Sequence, residues 1–389
     1  MSWSKRIPTA TPRMACFHKR SLNTVPSPVC VGYLRKSSTF ARSPAIALTY
    51  SQYGPPEKVL NITKVPLPPL TRSTVHIRFV AAPINPADIN QIQGTYPVKP
   101  QFKDGLGAVG GNEGLAEVIA TGDDVTDLKV GDWVIPTASG FGTWRKHASC
   151  KPDELLKLNK HGVSPLIAAT ISVNPCTAYR MLRDFVSLKP GDVVVQNGGN
   201  SGVGQSVIQL AKAWNIKTVN VIRNRPNFDE IAENLQDIGA DMVISEEDAR
   251  KPEVAAKVKN LGPPPRLALN CVGGKSATNI ARLLGHDGHL VTYGGMSKEP
   301  LILPTSLFIF KNLTSQGFWM TRWYETHSKA ERATMLDELF QLAQAGKLRE
   351  PWHDTTSLRD APNIQETAIA SIRKAMSGFS GGKQIFVMD

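Results

Sequence analysis

The stretch Val193-Val194-Val195-Gln196-Asn197-Gly198-Gly199-Asn200-Ser201-Gly202-Val203-Gly204 sets a glycine-rich turn after a short apolar run. Apolar residues at helical spacing follow, at Val203, Val207, Ile208, Leu210 and Ala211. Glycines let a backbone turn sharply and approach a pyrophosphate, and the next helix N-terminus offers it free N–H groups and partial positive charge. A glycine turn alone also serves plain packing; the strand–turn–helix context is what points to a dinucleotide. The next predicted strand ends at Val221-Ile222-Arg223-Asn224-Arg225-Pro226, and the first acid comes only at Asp229. A carboxylate there would accept hydrogen bonds from the ribose hydroxyls of NAD. Two guanidiniums instead hold the 2′-phosphate of NADP, which a carboxylate would repel. Arg223 and Arg225, with Asn224 between them, therefore specify NADPH.

These residues need a parallel sheet to hold them. Thr218–Ile222, Asp241–Ile244, Leu267–Val272 and His289–Tyr293 read as strands. Phe228–Ile238, Ser276–Leu284 and Lys329–Ala345 read as helices. Alternating strands and helices imply a doubly wound α/β sheet. Upstream the texture is different. Val75–Ala82 and Gly114–Ile119 alternate in polarity, and Gly and Pro punctuate the chain at Gly54-Pro55-Pro56 and Pro66 to Pro69. That pattern predicts a compact, antiparallel, barrel-like domain. Gln384–Val387 reads as a last strand returning to it.

At 389 residues the chain is long enough for two domains. No apolar run reaches the roughly 18–20 residues of a membrane span. The five cysteines (Cys16, Cys30, Cys150, Cys176, Cys271) form no CxxC pair, which argues against a disulfide framework or a cysteine zinc site. The net charge of +12 is concentrated at one end. Residues 1–42 carry eight Lys/Arg and no Asp or Glu, and the remainder has 37 basic and 33 acidic residues. A segment rich in Arg, Ser and Thr and free of acids reads as a mitochondrial transit peptide, with cleavage between Ser37 and Ala45. The near-neutral body argues against a nucleic-acid partner, because phosphate-tracking surfaces need clustered Lys/Arg.

A small barrel-like domain before a Rossmann domain, with the chain returning at its end, resembles the medium-chain dehydrogenase/reductase superfamily over about residues 46–389. The resemblance implies a GroES-like β-barrel catalytic domain at 46–172, completed by 347–389, and a Rossmann doubly wound parallel-sheet domain at 173–346. Zinc-dependent members carry a ligand His in a Gly-His-Glu segment. Here the stretch reads Gly111-Asn112-Glu113-Gly114, so the chain resembles a zinc-free branch and no metal is expected. The segment Pro83-Ile84-Asn85-Pro86-Ala87-Asp88-Ile89-Asn90-Gln91-Ile92-Gln93-Gly94-Thr95-Tyr96-Pro97 is similar to the signature of mitochondrial trans-2-enoyl thioester reductases. Asn174-Pro175-Cys176-Thr177-Ala178-Tyr179-Arg180 extends the likeness.

That family adds hydride at Cβ of a conjugated thioester and a proton at Cα. By resemblance Tyr96 is the proton donor. A phenol is a weak acid in water, so it donates well only to a strong base such as an enolate. The same resemblance places Asn174 and Asn200, Ser201, Gly202 and Val203 against the cofactor. It puts Tyr293, Gly294, Gly295 and Met296, and Phe318, Trp319 and Met320, at the nicotinamide end, with Lys383 a further cofactor contact. It also implies a substrate on acyl carrier protein or CoA, a homodimer and a mitochondrial matrix location. Arg322, Lys311 and Arg72 are basic residues that could meet an acidic carrier. A quinone reductase would share the Rossmann half and the missing zinc ligand, and the Asn85–Tyr96 segment argues against it. A nucleic-acid-binding or regulatory protein with a relic cofactor fold is the alternative outside enzymology.

Overall fold

A computed structural model describes residues 45–358, 362–378 and 381–388. The predicted transit peptide at 1–42 lies outside the described residues, as does most of the Ser37–Ala45 interval. Among the described residues no helix is long and apolar enough to cross a membrane.

The cofactor half is a six-stranded parallel sheet. Its first strand, Val193–Asn197, is central; Lys217–Ile222 and Met242–Ser245 extend it on one side, and Leu267–Asn270, His289–Thr292 and Thr314–Gly317 on the other. In sequence order this is the arrangement 3-2-1-4-5-6 of dinucleotide-binding sheets. The chain reverses direction of travel beside Val193–Asn197, which opens a crevice at the carboxyl ends of the central strands. Val193, Val194 and Val195 are all buried because helices cover both faces, so the strand reads as an apolar run rather than an alternation. Thr314–Gly317, an edge strand of small and polar residues, gives no such signal and is not predicted by the hydrophobic pattern.

The other half is built on Val75–Pro83, paired antiparallel with Leu115–Thr121 and His147–Cys150. Lys383–Val387 also pairs antiparallel with Val75–Pro83, and His353–Ser357 joins parallel outside it. A separate three-stranded sheet centres on Ala45–Tyr50. Val75–Pro83 is more buried than its alternating sequence predicts, since the sheet is covered on both sides. Leu115 and Ile135 face one apolar cluster; the neighbouring Ala116 and Val134 face another. Trp144, fully buried, packs edge-on against Phe386 with ring centroids 5.4 Å apart. Its indole N–H donates to the Pro83 carbonyl (3.3 Å), fastening the C-terminal strand to the sheet.

Candidate active site

The glycine turn is built from its glycines. Gly198 has φ +60, and a Cβ there would lie 2.6 Å from Cys271 Sγ. A Cβ on Gly202 would lie 2.6 Å from Asn174 Nδ2. Ser201 caps the Gly202–Ala213 helix, its hydroxyl accepting from the Gly204 N–H (3.1 Å). Asn200 sits in the turn, its carbonyl accepting from Gln205 Nε2 (2.9 Å), and Val203 packs against the core. Asn174 opens the Asn174–Asp184 helix and is buried, yet its amide nitrogen has no hydrogen-bond partner. An orphaned amide beside a turn kept open by glycine, at a helix N-terminus, fits a bound dinucleotide.

Arg223 and Arg225 converge, each Nη2 donating to the Gly378 carbonyl at 2.9 Å. Burial, and then the charge of Arg223, push Arg225 below its ordinary pKa. Two guanidiniums held this close present converging N–H donors of the geometry that suits a phosphate. Asn224 is exposed between them.

Trp319 Nε1 donates to the Tyr96 hydroxyl at 2.7 Å, with the rings edge-on at 5.9 Å. Tyr96 stands in a loop after the Pro86–Ile92 helix, its backbone N–H bonded to the Asn90 carbonyl (3.1 Å). Trp319 caps the Met320–Thr326 helix. Phe318 follows the sheet edge, its N–H bonded to the Thr292 carbonyl (2.9 Å), while Met320 is buried in the core. Tyr293 encloses its hydroxyl beside Cys271 and Ser201, with Gly294 against Cys271, Gly295 open, and Met296 exposed. Arg322 lies over the Trp319 ring at 5.8 Å. Arg72 pairs with Asp124, and Lys311 donates to the carbonyls of Arg282 and Leu284, so neither is a free cation.

Lys383 donates to Asn85 Oδ1. Asn85 Nδ2 in turn donates to Glu113 Oε2 (2.8 Å), and Glu113 Oε1 accepts from Ser172 Oγ (3.1 Å) and the Val173 N–H (2.7 Å). Burial raises the Glu113 carboxyl and lowers the Lys383 ammonium, which Glu113 and Asp88 partly offset. Asp88, fully buried, is pushed up to about 6 by desolvation, against hydrogen bonds from Asn85 and Asn112. This polar chain reaches Val173, the neighbour of Asn174, and so links the C-terminal strand to the start of the Asn174–Asp184 helix. Sequence reasoning missed Asn85, Asp88, Gln91 and Glu113. The signal was present: Asn85, Asp88 and Gln91 are spaced by three, which puts polar groups along one face of a helix that buries them.

Models of the alcohol dehydrogenase GroES-like domain and of the zinc-binding dehydrogenase match residues 71–160 and 202–340. The Homo sapiens mitochondrial enoyl-[acyl-carrier-protein] reductase is 44% identical over 366 residues, covering 94% of this chain and 95% of the relative. The chain belongs to the mitochondrial enoyl-[acyl-carrier-protein] reductase family. A solved structure described as the mitochondrial 2-enoyl thioester reductase Etr1p/Etr2p heterodimer from Candida tropicalis is 40% identical, with a TM-score of 0.84, covering 89% of this chain and 100% of that one. An Etr1p complex with NADP and crotonyl-CoA is likewise 40% identical with a TM-score of 0.84, over 88% of this chain and 99% of that one. Among the described residues no group of three or more His, Cys, Asp or Glu side chains is placed to hold a metal ion, and Asn112 is engaged in hydrogen bonds to Asp88 and Gln91.

Proposed function

We propose that this chain delivers the hydride of NADPH to Cβ of a trans-2-enoyl thioester and a proton from Tyr96 to Cα, giving the saturated acyl thioester. The observation that carries the proton step is the 2.7 Å bond from Trp319 Nε1 to the Tyr96 hydroxyl. An indole N–H is a donor only, so the Tyr96 oxygen accepts it and keeps its own proton to give away. Once the proton has left, the same N–H faces the phenolate and stabilises its charge. The enolate at Cα is basic enough to take a proton from a phenol, which is why no stronger acid is required.

Arg223 and Arg225 would hold the 2′-phosphate, the Asn200–Val203 turn the pyrophosphate, and Asn174 would satisfy its orphaned amide on the cofactor. Tyr293, Gly294, Gly295, Phe318 and Trp319 would border the nicotinamide, whereas Met320 is turned into the core and Met296 is exposed. Lys383 lies in the polar chain with Asn85 and Glu113, which reaches the neighbour of Asn174, and its ammonium would add a positive charge on that side of the cofactor.

The relatives are named mitochondrial, and the protein is mitochondrial. We place it in the matrix, which the acid-free basic segment at 1–42 supports. Assembly as a homodimer is supported by the open edge of Thr314–Gly317 and by the exposed Leu301, Ile302, Phe308, Ile309 and Phe310 near it in sequence. Steady-state assays with a hexenoyl-CoA and with a quinone, following NADPH consumption, test the reaction class. Turnover of the thioester is predicted; turnover of the quinone alone would overturn the reading.

A further inference from the structure

We propose that Asn112 is a positioning residue that holds together the two partners of the Tyr96–Trp319 hydrogen bond, by tying the loop of Tyr96 to the loop that braces the Trp319 helix. The proposal rests on the reading of Tyr96 as proton donor.

Asn112 Nδ2 donates to Asp88 Oδ1 at 2.7 Å and to Gln91 Oε1 at 3.1 Å, and its Oδ1 accepts from the Gly140 N–H at 2.5 Å. The contacts to Gln91 and Gly140 lead toward the site. Gln91 Nε2 donates to the Val98 carbonyl (3.2 Å), two residues beyond Tyr96, and the Gln91 carbonyl accepts from the Gly94 N–H (3.0 Å), two residues before it. Gln91 thus grips the Tyr96 loop at both ends, and Asn112 orients the Gln91 amide. Gly140, at φ +86, lies beside the same loop, where an added Cβ would come 3.8 Å from Val98 Cγ1 and 3.9 Å from Gln91 Nε2. Its neighbour Ser139 places its hydroxyl 3.2 Å from that of Thr321, in the helix that Trp319 caps.

The energetics favour one arrangement. Asp88 and Gln91 are buried at 0% and 2% exposure, so losing Asn112 leaves polar groups that water does not reach. The amide is suited to the task because it donates twice on one side and accepts on the other. An aspartate would repel Asp88, and a leucine would keep the volume but lose all three bonds.

The test uses the full enzyme with Asn112→Leu and Gln91→Met, which cut the chain of bonds at different points, beside Tyr96→Phe. The direct readout is the indole N–H resonance of Trp319 in a nitrogen-15 spectrum, assigned through Trp319→Phe. Both variants should move it in the same direction as Tyr96→Phe does. The kcat for enoyl-CoA reduction should fall about tenfold or more, a cost typical of misplacing a reacting group. NADPH affinity should stay within about twofold of wild type, reporting an intact fold and separating positioning from cofactor binding. An indole resonance left in place in both variants overturns the proposal, whatever kcat does. A moved resonance together with full turnover by Tyr96→Phe would uphold the positioning role and overturn Tyr96 as donor.

Discussion

At the scale of single residues, the assignment of the cofactor depends on charge type at one strand end. Arg223 and Arg225 share one carbonyl acceptor at 2.9 Å, so they are held at a common point. A charge-assisted hydrogen bond is worth about 1.5–3 kcal/mol. Replacing both arginines with serine should therefore raise the KM for NADPH by about 100-fold or more while leaving that for NADH nearly unchanged. Equal losses with both cofactors would remove the arginines from 2′-phosphate recognition. These two residues were legible in the sequence because only local order was needed to place them after a strand. Tyr96 was legible only through family likeness: a tyrosine before a proline has no spacing rule, and its partner Trp319 lies 223 residues away.

At the scale of elements, the apolar patterns found the buried strands at the centre of the cofactor sheet and missed strands that are short or mostly polar. Val193–Asn197 was readable; the edge strand Thr314–Gly317 and the strand His353–Ser357, mostly polar, were not. The Pro86–Ile92 helix was missed as a carrier of polar function because its buried face is lined by Asp88 and Gln91 rather than by apolar side chains alone. That burial has a measurable consequence. The Asp88 carboxyl is raised from 3.8 to about 6, so the folded protein holds this proton more tightly than the unfolded chain does. Its contribution to stability is present in full below pH 4 and is lost as pH rises through 6, amounting to about 3 kcal/mol. Asp88→Asn cannot ionise. Urea midpoints should therefore shift in favour of the variant, relative to wild type, between pH 4 and pH 7. A difference that stays constant over that range would show that Asp88 does not titrate this way.

At the scale of the whole molecule, the crevice lies between a cofactor sheet and a sheet that the C-terminal strand completes. Lys383–Val387 pairs with Val75–Pro83, and Lys383, the first residue of that strand, joins the polar chain that ends beside Asn174. Contacts of this separation are set by topology, which a linear pattern does not display. Leu301, Ile302, Phe308, Ile309 and Phe310 belong to the same scale, since they stay exposed in the described chain while Leu307 between them is buried. Phe310, 75% exposed, is the most open of these; on the proposed homodimer, Phe310→Asp should shift the sedimenting species toward monomer with the fold retained. An unchanged species would remove this face from the interface. The step on which the proposed reaction turns is protonation by Tyr96 of the substrate carbon that hydride addition has made basic. Its most direct test is single-turnover reduction of an enoyl-CoA by Tyr96→Phe with saturating NADPH. Turnover should fall by a factor of about 100 or more while the Kd for NADPH is nearly unchanged. Wild-type turnover in that variant would contradict the account.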